Sequence, residues 1–276
     1  MPELPEVETV VRGLRPRLVG RRLARVETRR RDLRIPFSPR LAERLTGRRV
    51  EAIDRRAKYI LMRLDGSETV LAHLGMAGRM TLRQRPNDPP GPHDHVVMTT
   101  DDGWELRFND VRRFGLMILV SSAELERHAL LADLGPEPLS KAFDAAVFEA
   151  AIAGRRTPIK AALLDQKTVA GIGNIYASEA LFRAGVSPKR LALRCRGERA
   201  DKIVAGIKSV LNDAIAAGGS TLRDYVQADG ELGYFQQRWA VYDREGQKCP
   251  GCRCKGAIRR IVQSNRATYY CPDRQK

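Results

Sequence analysis

The chain begins Met1-Pro2-Glu3-Leu4-Pro5-Glu6. Once Met1 is removed, which a small, ring-closed second residue favours, the nitrogen of Pro2 is a free secondary amine. Such an amine can attack an electrophilic carbon and lose its proton to give an iminium ion. An α-amino group titrates near ~8 and a Lys side chain near ~10.4. At neutral pH roughly a tenth of the former is unprotonated, against well under about a thousandth of the latter. The terminal amine is therefore a nucleophile that needs little activation. Glu3 and Glu6 stand beside it with carboxyl groups able to shuttle protons. The same residues also suit an ordinary helix start, where Pro is tolerated and Glu complements the macrodipole. What must position the amine is the next stretch. Val7, Val10, Val11, Leu14 and Leu18 recur at helical spacing, which predicts an opening helix over residues 1–19 with a buried face.

Other residue groups could do chemistry with a polyanion. Lys58 lies between Ala57 and Tyr59. The stretch His73-Leu74-Gly75-Met76-Ala77-Gly78-Arg79 puts an unbranched, flexible side chain between two glycines, which implies a tight loop. Met is as readily core filler. Asn109-Asp110-Val111-Arg112-Arg113-Phe114-Gly115 sets a cationic pair beside an aromatic on a loop ended by Gly, which suits a wedge into stacked bases or a bond to an unpaired base edge. A hairpin loop with a buried Phe has the same composition. In the run Lys160 to Tyr176, Gly171 and Gly173 straddle Ile172 just before a helix at Asn174. Amides exposed at a helix N-terminus bind phosphate oxygens, and Asn174 adds a side-chain donor. Gly218 to Tyr225, with Gly230 and Gly233 beyond, forms a Gly-rich loop with small hydroxyls that could close over a base.

The charge balance agrees with such a partner. Forty-nine Lys and Arg against thirty-three Asp and Glu leave a net +16 over 276 residues. That is the footprint of a polyanion binder. A membrane surface fits less well, because no amphipathic Lys/Arg helix with Trp and Phe stands out. No apolar run nears the ~20 residues that span a bilayer, and the acidic, amphipathic start does not read as a signal peptide. The expected location is the cytosol. Apolar residues at 43% and charged residues at 30% are ordinary for a folded chain long enough for two modest domains.

Along the chain, strands are expected at Arg22–Val26, Arg49–Asp54, Tyr59–Leu64, Val70–Leu74, His95–Thr99, Trp104–Phe108 and Leu116–Val120, with Asp101-Asp102-Gly103 as a hairpin turn. Pro86–Pro92 reads as a loop that could be mobile, and His93 and His95 as surface histidines. Leu131–Ser140, with Gly135-Pro136-Glu137-Pro138, is the best linker and the expected domain boundary. Beyond it the apolar spacing turns helical, over Phe143–Ile152, Ile159–Leu164, Asn174–Ala184 and Asp201–Ala217.

The stretch Pro2-Glu3-Leu4-Pro5-Glu6-Val7-Glu8-Thr9 resembles the start of bacterial formamidopyrimidine-DNA glycosylases, and the likeness continues to the C-terminus. The related endonuclease VIII branch usually carries Gly where Leu4 stands. The resemblance implies an α+β fold: an N-terminal helix plus an antiparallel β-sandwich domain (1–132), a linker (133–140), a helical domain with a helix–two-turn–helix motif and a lesion-capping loop (141–235), and a C-terminal zinc-finger-like β-hairpin (236–276). It implies a bifunctional DNA glycosylase and lyase of base-excision repair. Such an enzyme removes oxidised purines from duplex DNA and cleaves the abasic site by β,δ-elimination through a Schiff base on Pro2. By the same resemblance Glu3 moves protons and Lys58 reaches the DNA near the lesion. Met76, Arg112 and Phe114 fill the hole left by the extruded nucleotide. Lys160 and Asn174 hold the damaged strand, Thr221 and Tyr225 belong to the loop capping the base, and Arg266 binds a phosphate flanking the lesion. His73 and Tyr176 are placed among the DNA contacts. The partner is double-stranded DNA carrying oxidised bases or abasic sites, in a basic cleft between domains, and the protein is expected to be a nucleoid-associated bacterial monomer. Two rivals stay open: an endonuclease VIII-like enzyme for oxidised pyrimidines, and a non-catalytic architectural protein that kinks duplexes with Phe114.

Four of the five Cys crowd into residues 249–271, which in a reducing compartment points to metal rather than disulfides. The family finger has two Cys pairs around zinc, but here Arg274 occupies the fourth ligand position. Sixteen residues back from Cys271 lies Cys254, and Cys249 is further from Cys254 than an adjacent pair would be. Zinc held by Cys249, Cys252, Cys254 and Cys271, zinc held by three Cys and an outside ligand, and a hairpin without metal all remain open. Cys195 reads as structural.

Overall fold

The computed structural model describes residues 1–220, 228, 233–252 and 256–276. The expected loop contacts Thr221 and Tyr225, and the expected ligand Cys254, lie outside the described residues. The chain forms two compact units, Met1–Ala132 with Ala217–Gln236, and Asp133–Ala216 with Gln237–Lys276.

The first unit opens with helix α1, Leu4–Leu18. Its predicted stripe is buried: Val7, Val10, Val11, Leu14 and Leu18 expose nothing to solvent. Burial of each such side chain contributes about 1.5–3 kcal/mol. Eight strands follow, β1 Leu23–Thr28, β2 Val50–Arg56, β3 Tyr59–Leu64, β4 Glu68–His73, β5 Arg79–Gln84, β6 Asp94–Thr100, β7 Trp104–Asn109 and β8 Leu116–Ser121. They pair antiparallel into two four-stranded sheets, β1-β6-β7-β5 and β2-β3-β4-β8. Inward residues of both sheets, among them Met98, Leu106 and Phe108 from one and Ile53, Met62 and Met117 from the other, share one core with α1. This is the expected β-sandwich. The sequence reading lacked β5, whose only inward apolar residues are Met80 and Leu82, and the short helix α2, Leu41–Leu45.

The second unit is helical, with α3 Ala145–Ile152, α4 Ile159–Leu164, α5 Asn174–Ala184 and α6 Glu198–Ala216. Asp144 caps α3 by accepting from the Val147 amide at 2.9 Å. A terminal hairpin, β9 Arg259–Gln263 and β10 Arg266–Tyr270, completes the unit. The mixed α+β class read from the sequence is the class observed.

Two local expectations change. His95 is not a surface histidine: it is buried and its Nε2 lies 2.8 Å from the Asp110 carbonyl. It lies where the β6–β7 register shifts between Asp94 and Val96, so alternation along the strand does not tell how it is buried. The loop 86–92 is tied down. Arg107 bonds the Asp88 carboxylate at 3.0 Å and the Asp88 carbonyl at 2.6 Å, while Arg29 donates to the carbonyls of Pro90 and Gly91. Arg107 is buried and also bonds Glu105 at 2.6 Å. Replacing it with Met leaves Glu105 and Asp94 without their cation. Arg107→Met is expected to cost about 3 kcal/mol in urea unfolding; a loss below about 0.5 kcal/mol, the scale of surface changes, would show that the cluster is not a structural tie.

Candidate nucleic-acid interface and catalytic residues

The start of α1 is buried, although Met1 itself is exposed. Glu3 occupies the N-cap, and Glu3 and Glu6 form a capping box. The Glu6 carboxylate accepts from the Glu3 amide with one oxygen and from the Ser220 amide with the other, both at 2.8 Å. Pro2 and Glu3 are thus held at the positive end of a helix dipole. With Met1 in place the Pro2 nitrogen is an amide, so the free amine exists only after its removal.

One turn further along α1, Glu8 bonds Arg55 at 3.0 Å, and Arg55 also donates to the carbonyl of Ala57 at 2.9 Å. Burial alone would raise the Glu8 carboxyl, but the bonds from Arg12 and Arg55 outweigh it and hold it below the usual range. This chain of contacts fixes the two-residue turn between β2 and β3 that carries Lys58. Register then sets Tyr59 opposite His73, their rings 5.0 Å apart.

His73 is the base of the next loop. Its Nδ1 accepts from the Gly75 amide at 2.9 Å, so the ring is the neutral Nε2–H tautomer. Burial, with the nearby charges of Lys58 and Arg34, lowers its pKa to about 4. Gly75 has φ +65°, and a Cβ there would lie 2.4 Å from the Phe114 carbonyl carbon. The Met76 loop and the Phe114 loop can therefore touch only through a glycine. Asp110, wholly buried, accepts from the Gly115 amide at 2.7 Å and pins the second loop. Met76 and Phe114 are 41% and 45% exposed, so neither is core filler. The Arg112 guanidinium stacks over the Phe114 ring at 4.7 Å. An apolar pair carrying a cation on a rigid base is suited to entering a base stack.

In the helical unit the Lys160 ammonium is buried. It donates to the Asn174 side chain at 2.6 Å, the Ala267 carbonyl at 2.9 Å and the Thr268 hydroxyl at 2.8 Å. Lys160 thus ties α4 to the start of α5 and to the hairpin. Asn174, half-buried at the first position of α5, also donates to the Ala267 carbonyl at 3.0 Å. Tyr176 is fully buried and belongs to the core, so its side chain has no surface for a nucleic acid. Its place among the expected contacts comes from the family resemblance of the run Lys160 to Tyr176. Arg266 is exposed at the head of β10, just after Ser264 and Asn265, which both have positive φ as a two-residue hairpin turn needs.

Two residues of this unit escaped the sequence reading. Gln166 clamps the turn before α5: it donates to the Ile172 carbonyl at 2.8 Å and accepts from the Gly171 amide at 2.8 Å. Glu179, buried on α5, accepts from the amides of Ala240, Val241 and Tyr242 at 2.8–2.9 Å. Burial raises its pKa against those three bonds. An acid at a helix position otherwise surrounded by buried apolar residues was the available signal.

The sulfurs of Cys249, Cys252 and Cys271 lie within 4.8 Å of one another, a group that could hold a metal ion. Cys252 is 3.4 Å from Cys249 and 3.7 Å from Cys271. A tetrahedral site with Zn–S near 2.3 Å sets sulfurs about 3.8 Å apart, so the trio fits zinc.

Comparison with known proteins agrees at full length. Residues 1–117 match the formamidopyrimidine-DNA glycosylase N-terminal domain, and residues 134–226 match the H2TH domain of the same enzymes. The chain belongs to the formamidopyrimidine-DNA glycosylase family. It is 57% identical to family members named formamidopyrimidine-DNA glycosylase from Rhodospirillum centenum and Rhodospirillum rubrum, over the whole of both chains in each case. Among solved structures, the MutM (Fpg) protein of Thermus thermophilus matches with TM-score 0.86 and 42% identity, over 99% of this chain and 98% of that one. The wild-type Lactococcus lactis Fpg (MutM), in complex with a DNA containing N7-benzyl-Fapy-dG, matches with TM-score 0.90 and 33% identity over all of both chains.

The tautomer of His73 has a measurable consequence. Its pKa is about 4 folded and near its ordinary 6.5 unfolded, so the unfolded chain takes up the proton first as pH falls. Stability should drop from about pH 6.5 towards about pH 4. His73→Asn, which can still accept from the Gly75 amide but does not titrate, should flatten that part of the slope in denaturant unfolding at stepped pH. An unchanged slope would remove the buried neutral imidazole from the account.

Proposed function

We propose that this chain excises oxidised purines, 8-oxoguanine and formamidopyrimidines, from duplex DNA and then cleaves the abasic site through a covalent intermediate on Pro2. The observation that carries this reading is the buried start of α1, where Pro2 and Glu3 are fixed at a helix N-terminus instead of fraying. The family membership and the L. lactis complex with Fapy-containing DNA support the substrate class.

The damaged nucleotide must leave the stack before its sugar can be reached. The Met76 and Phe114 loops, locked together at Gly75, enter the space it leaves, with Arg112 directed at the unpaired partner. His73, fixed as an Nε2–H donor, and Lys58 serve phosphates near the lesion. Asn174, oriented by Lys160, and Arg266 serve the strand from the helical unit. Neutralising several phosphates should make affinity fall steeply with salt. After removal of Met1, the Pro2 nitrogen attacks the sugar C1′. Glu3 gives a proton to the ring oxygen, the base departs, and the iminium joins Pro2 to the opened sugar. Glu3 then moves protons during the two eliminations, which release the phosphates on either side. Zinc, one per chain, would be held by the Cys trio with Cys254 as further donor. Its contribution would be to the stability of the hairpin that carries Arg266, not to the reaction.

Borohydride should trap a protein–DNA adduct, and peptide mapping should place it on Pro2; an adduct on a Lys would overturn the assignment. Glu3→Gln should slow base removal at least ~100-fold while leaving binding to abasic-analogue DNA nearly intact. A second reading has one observation in its favour: the L. lactis relative also forms a complex with DNA containing an oxidized pyrimidine. Faster excision of thymine glycol than of oxidised guanine from matched duplexes would favour it.

A further inference from the structure

The tail contains the same four-residue pattern twice, Cys249-Pro250-Gly251-Cys252 and Cys271-Pro272-Asp273-Arg274. The first copy supplies a thiol at each end. The second supplies Cys271 to the cluster and puts a guanidinium where the repeat would put another thiol. That guanidinium makes its bonds elsewhere. Arg274 Nε donates to the Phe182 carbonyl at 3.1 Å and Nη1 to the Gly251 carbonyl at 2.7 Å, and the cation lies 4.9 Å over the Phe182 ring. Phe182 is in the last turn of α5, where a cation is favoured by the helix dipole. Three elements meet at this point: the end of α5, the first knuckle and the second. They meet closely, because a Cβ on Gly251 would lie 2.8 Å from the Phe182 ring and 3.2 Å from the guanidinium of Arg274.

Neighbouring bonds run the same way. Gln275, buried, accepts from the Cys271 amide at 2.9 Å and donates to the Val186 carbonyl at 3.0 Å. The Lys276 amide donates to the Gly185 carbonyl at 3.0 Å. The second knuckle is therefore attached to the α5 end by bonds that involve no sulfur. A finger held together by its metal alone loses its fold with the metal.

We propose that Arg274 is a metal-independent clasp, standing where the repeat would put the second thiolate of the second knuckle. By joining both knuckles to the C-terminus of α5, it keeps the β9–β10 hairpin, and with it Arg266, folded when the metal is removed. The metal arm of this proposal rests on the reading of the Cys trio as zinc ligands; the clasp itself does not. Charge-assisted bonds from a planar fork to two fixed carbonyls are the stronger class of hydrogen bond, and Lys cannot reproduce them.

The test is hydrogen exchange on the full chain, before and after metal is stripped by a chelator, with metal content measured on the same samples. Wild type should keep protection of residues 259–270 within about twofold after stripping, whereas stripped R274A should lose at least about tenfold. R274K should fall between them. R274C, which completes the repeat, should retain zinc at higher chelator concentrations than wild type. Protection of the first unit in the same spectra reports whether each variant folds. If stripped wild type loses the hairpin as R274A does, or if stripped R274A keeps it, the clasp is overturned. If wild type is purified without metal and the chelator changes nothing, the zinc reading fails, while the R274A comparison still decides the clasp.

Discussion

The carboxylate of Glu6 holds the two amides on which the proposed site depends. One of its oxygens takes the Glu3 N–H and the other the Ser220 N–H, so the first turn of α1 is closed and also attached to a segment more than two hundred residues away. Chain ends normally fray because nothing repays the cost of ordering them. Here the buried stripe of α1 orders the helix, and the capping box carries that order to the residue beside Pro2. A nucleophile made from a chain terminus needs this, since an amine that wanders through solvent gains nothing from proximity to a bound sugar.

The same device recurs at four described loops and junctions proposed to meet DNA. A polar side chain, buried or half-buried, accepts from, or donates to, the backbone at the base of the loop. His73 does so for the Met76 loop, Asp110 for the Phe114 loop, Gln166 for the turn before α5 and Lys160 for the junction of α5 with the hairpin. Buried polar groups are costly unless they are hydrogen-bonded, so each of these side chains specifies one loop conformation strongly. The exposed residues at the loop tips are then free to be chosen for their chemistry. Met76 and Phe114 are apolar and half-exposed, as the wedge proposed for them requires.

Electrostatics follows from this construction. Burial, with Lys58 and Arg34, keeps His73 neutral, so the cluster proposed to meet phosphates offers a hydrogen-bond donor there without adding another positive charge. Glu179 carries a buried acid on α5 and directs it at three consecutive amides, which orders the Tyr242 turn. The Tyr242 hydroxyl in turn lies 3.4 Å from the Asn174 side chain. Supporting groups of this kind decide how accurately the contacting residues are aimed.

The sequence by itself determined the α+β class, seven of the eight described sandwich strands, five of the six described α-helices and the grouping of the cysteines. These depend on local periodicity and spacing, which a linear string contains in full. The chemistry proposed for Pro2 and Glu3 is suggested by residue type and short-range context, whereas the roles proposed for Lys58 and Phe114 come from the family resemblance. What only the tertiary structure decided was which side of each element faces inward and which distant backbone each polar side chain meets. His95 reads as a surface residue until β6 is placed in its sheet. Tyr176 and Lys160 read as contacts until α5 and the hairpin bury them. Glu179 is marked only as an acid among apolar helix positions and Arg274 only as a break in a repeat, and the bonds that these and Gln166 make have no local signature, because their partners are carbonyls and amides that every residue possesses. Such groups acquire meaning only when folding brings one particular backbone segment within hydrogen-bonding reach.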